Sequence, residues 1–212
     1  CAADPNVFLE EDAMVRFGVG KNMVRSIRHW GLATGVLVED ENPNNPRVRL
    51  LVPSEFGSSM FGARGWDPYF EDPATAWLIH WQLAHYGRRS TTWYWTFSHS
   101  PQLEFSREDL VGWLLSLSEQ KGWGRTGAAT LARDVDCFVR TYVPARATKN
   151  QTTEDTLDSP LVELGLLRDF GRKGNYLIQR GSQPSLPDVV FGYAVVDFIA
   201  GRASSARTIP LD

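Results

Sequence analysis

The sequence predicts a mainly α fold with small β hairpins, an α+β class. Two winged helix-turn-helix-like units are expected to pack around a helical, aromatic-rich middle segment. Three observations carry this. Residues 5–38 run helix, glycine turn, helix, strand, and a returning strand follows. The same order of helix, turn, helix and hairpin recurs from Ser106 onward. No low-complexity linker separates the two, so they should share a core. The expected boundaries are residues 1–64 for the first unit, 65–105 for the connecting segment and 106–212 for the second unit.

In the first unit, Glu10–Phe17 reads as a short helix and Gly18-Val19-Gly20 as a tight turn. Lys21–Thr34 reads as a second helix, ended by Gly35. Val36–Val38 and Arg47–Val52 read as strands around the polar, proline-containing Asp40–Pro46. In the middle segment, Asp72-Pro73 opens a helix to about Tyr86, because proline suits the first helical position. Thr91–Phe97 is β-branched and aromatic, so it reads as a strand or a buried segment. In the second unit, Ser106 to Asp109 forms a capping box for a helix to about Gln120. A second helix is expected around Leu131–Val143, and Leu161–Leu167 carries a further helix end. Leu166–Phe170 and Asn175–Gln179 flank Gly171 to Gly174, a hairpin signal, and Pro187–Ala200 is the last helix.

Composition narrows the function classes. The chain has 212 residues, 42% hydrophobic and 22% charged, which is ordinary for a globular protein and excludes global disorder. The apolar runs Leu110–Leu117 and Val189–Ala200 are shorter than the roughly 20 residues of a membrane span. Twenty-two basic and 25 acidic residues give a net charge of −3, which excludes a uniformly basic coat but not a local basic patch. Two cysteines, Cys1 and Cys137, build neither a disulfide framework nor a zinc site alone. A reducing, cytoplasmic setting is the simplest expectation.

The strongest chemical signal is the Lys21–Thr34 helix. No acidic residue occurs from Ala13 to Val38, whereas Arg16, Lys21, Arg25 and Arg28 do. Lys21, Arg25 and Arg28 fall within about 60° of one another on a helix, flanked by Asn22 and His29. Met23, Ile27 and Trp30 are expected to bury on the opposite side. Cations suit phosphates, and Asn and Arg make bidentate contacts to purine edges. The plain alternative is a solvated basic face. Arg47 and Arg49 on the first hairpin could reach the adjacent backbone. In the second unit, Arg125 precedes the second helix, Arg133 and Arg140 oppose its Leu131, Val135, Phe138 and Tyr142 stripe, and Arg172 and Lys173 occupy the hairpin tip. Asp134 and Asp136 dilute this second charge pattern.

Two acidic groups could hold Mg²⁺ or Mn²⁺: Asp67, Glu71 and Asp72, and Glu154, Asp155 and Asp158. Capping of helices and turns is the stronger expectation for each. His80 lies beside Trp77 and Trp81 and reads as a core histidine, and Cys137 reads as packing. The crowding of Trp66, Trp77, Trp81, Trp93 and Trp95 reads as a shared aromatic core. Nucleotide-loop, dinucleotide and Ser-His-Asp signatures are absent from the sequence.

Four stretches together resemble a known family: Val15–Leu37, Gly65–Leu83, Asp155–Leu167 and Ala206–Ile209. The segment GVGKNMVRSIR is the most specific. The family is a bacterial domain of originally unassigned function found beside DNA phosphorothioation genes, and the chain resembles its SspB-like, DNA-nicking members. The resemblance implies a DNA-binding protein of a phage-defence system that nicks one strand to allow sulfur incorporation, with Mg²⁺ or Mn²⁺ assisting. Implied partners are DNA, a cysteine desulfurase, an ATP-dependent sulfur-transfer enzyme and an ATPase. No family catalytic motif maps onto the chain. Glu154, Asp155 and Asp158, which follow the basic Arg146–Lys149 loop, are the candidate metal-holding carboxylates. The alternatives are a non-catalytic winged-helix regulator and an assembly module for the modification enzymes.

Overall fold

A computed structural model describes residues 4–9, 12–124, 126–144 and 158–202. Helices dominate, and the described strands form two small antiparallel sheets, as the α+β class requires. The short helix α1 (Ala13–Phe17) ends at Gly18, whose φ of 65° is the left-handed conformation glycine adopts without strain. Helix α2 (Lys21–Ala33) follows, closed by the Thr34 hydroxyl donating to the Trp30 carbonyl at 2.7 Å. Strands β1 (Leu37–Glu41) and β2 (Arg49–Pro53) pair from Leu37↔Pro53 to Glu41↔Arg49. The first strand therefore runs three residues beyond Val38 and carries Glu39, Asp40 and Glu41 in the ladder rather than in the turn.

Helix α3 (Glu55–Phe61) has no counterpart in the sequence reading. Its signal was Ser54, whose side chain accepts from the Gly57 amide at 2.8 Å while its hydroxyl donates to the Gly35 carbonyl at 2.6 Å. The same joint explains Gly57: a Cβ there would lie 2.1 Å from the Val36 carbonyl oxygen. Backbone cannot yield as a side-chain tip can, so Gly57→Ala is expected to destabilise by about 3 kcal/mol, the upper range for overpacking. Urea unfolding of the variant measures it, and a cost near zero would mean that α3 does not sit this close to β1.

Helix α4 (Pro73–Tyr86) is capped as its sequence predicts, with the Asp72 carboxylate accepting from the Ala74 amide at 2.8 Å and Pro73 leading. Its hydrophobicity is spread around the axis, and Thr75 through Ile79 and Gln82 through Ala84 are buried, which marks a central helix. The segment expected as strand or buried piece is helix α5 (Thr91–His99). The strand option fails because Trp93, Thr92 and Thr96 are all buried at helical spacing, and tertiary packing overrides β propensity there. Trp93 meets Trp30 at 5.1 Å and Phe138 at 5.6 Å, both edge-to-face, and so joins α2, α5 and the later helices.

The remaining chain begins with β3 (Glu104–Ser106), then α6 (Arg107–Lys121) and α7 (Ala128–Tyr142). The Ser106–Asp109 capping box forms in full. Val135, Phe138 and Tyr142 are the buried face of α7, which packs on α6. A 3-10 turn (Pro160–Leu164) leads to β4 (Leu167–Asp169) and β5 (Asn175–Ile178). The sheet order is β3-β5-β4, so β5 sits in the middle and ties the start of the α6–α7 pair to its end. Helix α8 (Asp188–Arg202) closes the described chain. Its Asp197 accepts from Trp81 Nε1 and Tyr86 Oη, each at 2.7 Å, and so holds it against α4.

One buried cluster runs from Ala33 and Met60 through α4, α5, α6 and α7 to Ile178 and Val190. Three burial expectations change. Met23 and Ile27 remain 54% and 37% exposed, whereas Trp30 of the same stripe packs on Trp93, and α2 also buries Val24, Leu32 and Ala33. Trp66 lies outside the aromatic core at 75% exposure, and Cys137 is exposed rather than packed. His80 does join the core, with its Nδ1 2.8 Å from Tyr142 Oη and edge-to-face contacts to Trp77 and Phe97.

Candidate nucleic-acid interface

The structure sorts the predicted cations into open and engaged ones. On α2, Lys21, Asn22, Arg25 and His29 are exposed. Arg28 is half-buried and its guanidinium lies 3.5 Å from Glu39, which also takes Arg89 at 2.9 Å. On the first hairpin Arg49 lies 3.4 Å from Glu41, while Arg47 stands exposed in the turn. Three acids in β1 thus offset the cations of this hairpin, which a phosphate-binding wing would not favour.

The second set is more open than its sequence suggests. Arg133 and Arg140 are exposed on α7, and Arg172 and Lys173 are exposed at the β4–β5 tip. Gly171 and Gly174 turn that tip with φ of 61° and 88°. The two acids of α7 have partners. Asp136 accepts from Arg107 Nε at 2.5 Å and Nη2 at 2.8 Å, a bidentate pair that holds its carboxyl below the usual range. Asp134 accepts from the Thr92 hydroxyl. Sequence periodicity placed all four charges on one helix but could not show that Arg107, on α6, neutralises one of them. Arg125, Glu154 and Asp155 lie outside the described residues.

Asp158 lies where the sequence could not place it. It shares a hollow of about 380 Å³ with Glu71, Asp72 and Glu163, so parts of both acidic groups come together. Among the described residues, however, no three His, Cys, Asp or Glu side chains are grouped closely enough to hold a metal ion. Asp72 caps α4, and Asp67 is buried with its carboxylate accepting from Thr75 Oγ1 at 2.6 Å and from the Glu71 and Asp72 amides. The Thr75 hydroxyl, then the Glu71 amide, hold the Asp67 carboxyl below its usual value. Both residues are structural caps, as their sequence context predicts. The described side chains therefore do not fit a magnesium or manganese centre.

Sequence reasoning also missed a cavity of about 450 Å³ between α5, α6 and α7, with Trp123 52% exposed at its edge. The signal available was the Gly122-Trp123-Gly124 run, an aromatic held between two glycines of positive φ. Cys137 lines the same cavity.

With a compact α+β domain bearing open cations on two helices and a hairpin in view, its relatives can be placed. The chain belongs to the DUF4007 family, described as a protein of unknown function, whose model matches residues 1–212. Two solved structures are similar over 94% of this chain at 33% identity and a TM-score of 0.85: an SspB crystal structure and a magnesium ion-bound SspB crystal structure. The SspB-like resemblance of the sequence is thereby borne out. The chain spans 59% of the length of those structures. No curated protein matches it. No helix among the described residues is long and apolar enough to cross a membrane.

Proposed function

We propose that the protein is a DNA-binding component of a bacterial phosphorothioation system, and that α6, α7 and the β4–β5 hairpin form its principal DNA-binding unit. The observation that carries the reading is the connectivity β3–α6–α7–β4–β5 with sheet order β3-β5-β4. This order supports a winged helix, with α7 as the groove-entering second helix and the Arg172-Lys173 tip as the wing. Arg133 and Arg140 then face the duplex, and the ion pair of Asp136 with Arg107 lowers the repulsion of phosphates. The α1–α2 unit supplies a second patch through Lys21, Asn22, Arg25 and His29. Arg47 stands open at the first hairpin's turn, while Arg28 and Arg49 contribute less because Glu39 and Glu41 pair with them. In the same reading the protein is cytoplasmic and works beside a cysteine desulfurase, an ATP-dependent sulfur-transfer enzyme and an ATPase.

The test is a set of double variants, Arg133→Ala with Arg140→Ala, Arg172→Ala with Lys173→Ala, and Lys21→Ala with Arg25→Ala. All six side chains are exposed, so folding should be unchanged. Each lost phosphate contact should flatten the plot of log K against log salt by about 0.9. The wing pair should weaken every sequence equally, since phosphate contacts position rather than specify. If the α7 pair leaves affinity and salt slope untouched, α7 is not the recognition helix.

A second reading, strand nicking, is favoured by the magnesium ion-bound neighbour. Conversion of supercoiled plasmid to the open circle in buffer containing Mg²⁺ or Mn²⁺ is its expected result. Binding without any relaxation in either metal would leave the regulator or assembly-module reading in its place.

A further inference from the structure

We infer that the cavity between α5, α6 and α7 receives one unstacked nucleobase bearing an exocyclic amine, as cytosine does, with Trp123 as its stacking platform. The inference rests on the DNA-binding reading above and deepens it. At about 450 Å³ the cavity falls within the roughly 300–1,000 Å³ of small-ligand clefts. Leu114 and Leu131 are among its apolar lining residues, and Thr91, Ser118, Thr126 and Thr130 among its polar ones, with the Ser118 hydroxyl donating to Thr126 Oγ1 at 3.1 Å. That mixture of flat apolar surface and short polar groups suits a base, which has a π face and a hydrogen-bonding edge.

Three side chains give the site its direction. Trp123 is 52% exposed, and its ring makes no aromatic contact among the described residues. An exposed indole on a two-glycine turn beside a cavity is placed to stack on a base entering from solvent. Asp134 lines the same cavity, and its Oδ2 takes the Thr92 hydroxyl. Its Oδ1 accepts no hydrogen bond among the described residues and is suited to an amine such as cytosine N4, whereas thymine presents a carbonyl there that a carboxylate repels. Arg133, one residue before Asp134 on α7, is exposed at the rim and can hold the phosphate of the extruded nucleotide. The cavity thus opens beside the helix proposed to lie on the duplex, where an unpaired base would arrive.

Short single-stranded oligo-dC and oligo-dT, and a duplex, are titrated into the full chain, followed by the Trp123 indole N–H resonance and by anisotropy. The expected result is a Trp123 shift with oligo-dC, affinity for oligo-dC at least tenfold above oligo-dT, and a loss of about tenfold in Trp123→Ala. Asp134→Asn should erase the preference for dC, and Trp123→Ala carries the test alone should that variant fail to fold. Duplex binding with unchanged oligo-dC affinity in Trp123→Ala, or equal affinity for dC and dT, overturns the base site and leaves the DNA-binding reading standing. No binding of any of the three overturns both.

Discussion

Replacing Trp93 by Ala is expected to cost about 3–5 kcal/mol, the range for deleting a large buried aromatic. Trp93 is 2% exposed and makes edge-to-face contacts with Trp30 from α2 and Phe138 from α7. Removing it opens a cavity where the first helices, the middle segment and the α6–α7 pair meet. The loss should therefore lower the stability of the whole domain rather than of one end. Trp93→Phe should behave differently. The indole N–H of Trp93 is buried and has no hydrogen-bond partner among the described residues. An unpaired buried donor costs about 1–3 kcal/mol, so the Phe ring removes a penalty while it gives up volume. The Phe variant is expected within about 1.5 kcal/mol of the parent. Urea unfolding by fluorescence and by far-ultraviolet circular dichroism measures both. Coincident transitions with a large Ala cost and a small Phe cost are predicted, and an Ala variant as stable as the parent would contradict the central place given to Trp93.

The second large effect is the acid sensitivity imposed by His80. Burial among aromatic rings pushes its pKa down to about 3, so the imidazole is neutral in the folded protein. The pairing with Tyr142 Oη is satisfied when the phenol donates to Nδ1 and the imidazole proton resides on Nε2. In the unfolded chain the same histidine titrates near 6.5. Between these values the unfolded state binds one more proton, so stability rises with pH across the window. The contribution is complete above about pH 6.5 and is lost at about 1.4 kcal/mol per unit as pH falls below it. Asp67 and Asp136, whose carboxyls are held low, add their losses only in the carboxylate range further down. Unfolding free energies from pH 4.5 to 6.5 should therefore show a slope that His80→Gln flattens by about one proton. The His80 imidazole signal should not titrate in the folded protein between pH 5 and 8. A normal titration midpoint near 6.5 would contradict the burial argument.

Much of the architecture was legible because its punctuation is local. The Asp72-Pro73 start of α4, the Ser106–Asp109 box of α6 and the Gly171–Gly174 tip each depend on a few adjacent residues. Segments whose state is set by distant partners were not legible. Thr91–His99 has the composition of a strand and becomes a helix because Trp93 is buried against α2 and α7. β3 has three residues, and only its pairing with β5 makes it a strand. Of the α2 stripe Trp30 finds a core neighbour while Met23 and Ile27 remain open, since periodicity locates a stripe but not what packs on it. For the interface, the cations themselves were legible. Their availability was not, since Arg28, Arg49 and Asp136 are each paired with a residue that only folding brings near. The convergence of Asp158 on Glu71 and Asp72, and the cavity beside Trp123, are likewise products of tertiary contact.

With a net charge of −3, the chain is proposed to bind DNA through its locally open cations. Fluorescence anisotropy of a labelled duplex of about 20 base pairs, titrated with the protein from 50 to 300 mM salt, tests it most directly. Saturable binding at low salt is predicted, with log K falling linearly against log salt at about −0.9 for each phosphate neutralised. No change in anisotropy at 50 mM salt, or an affinity independent of salt, would contradict it.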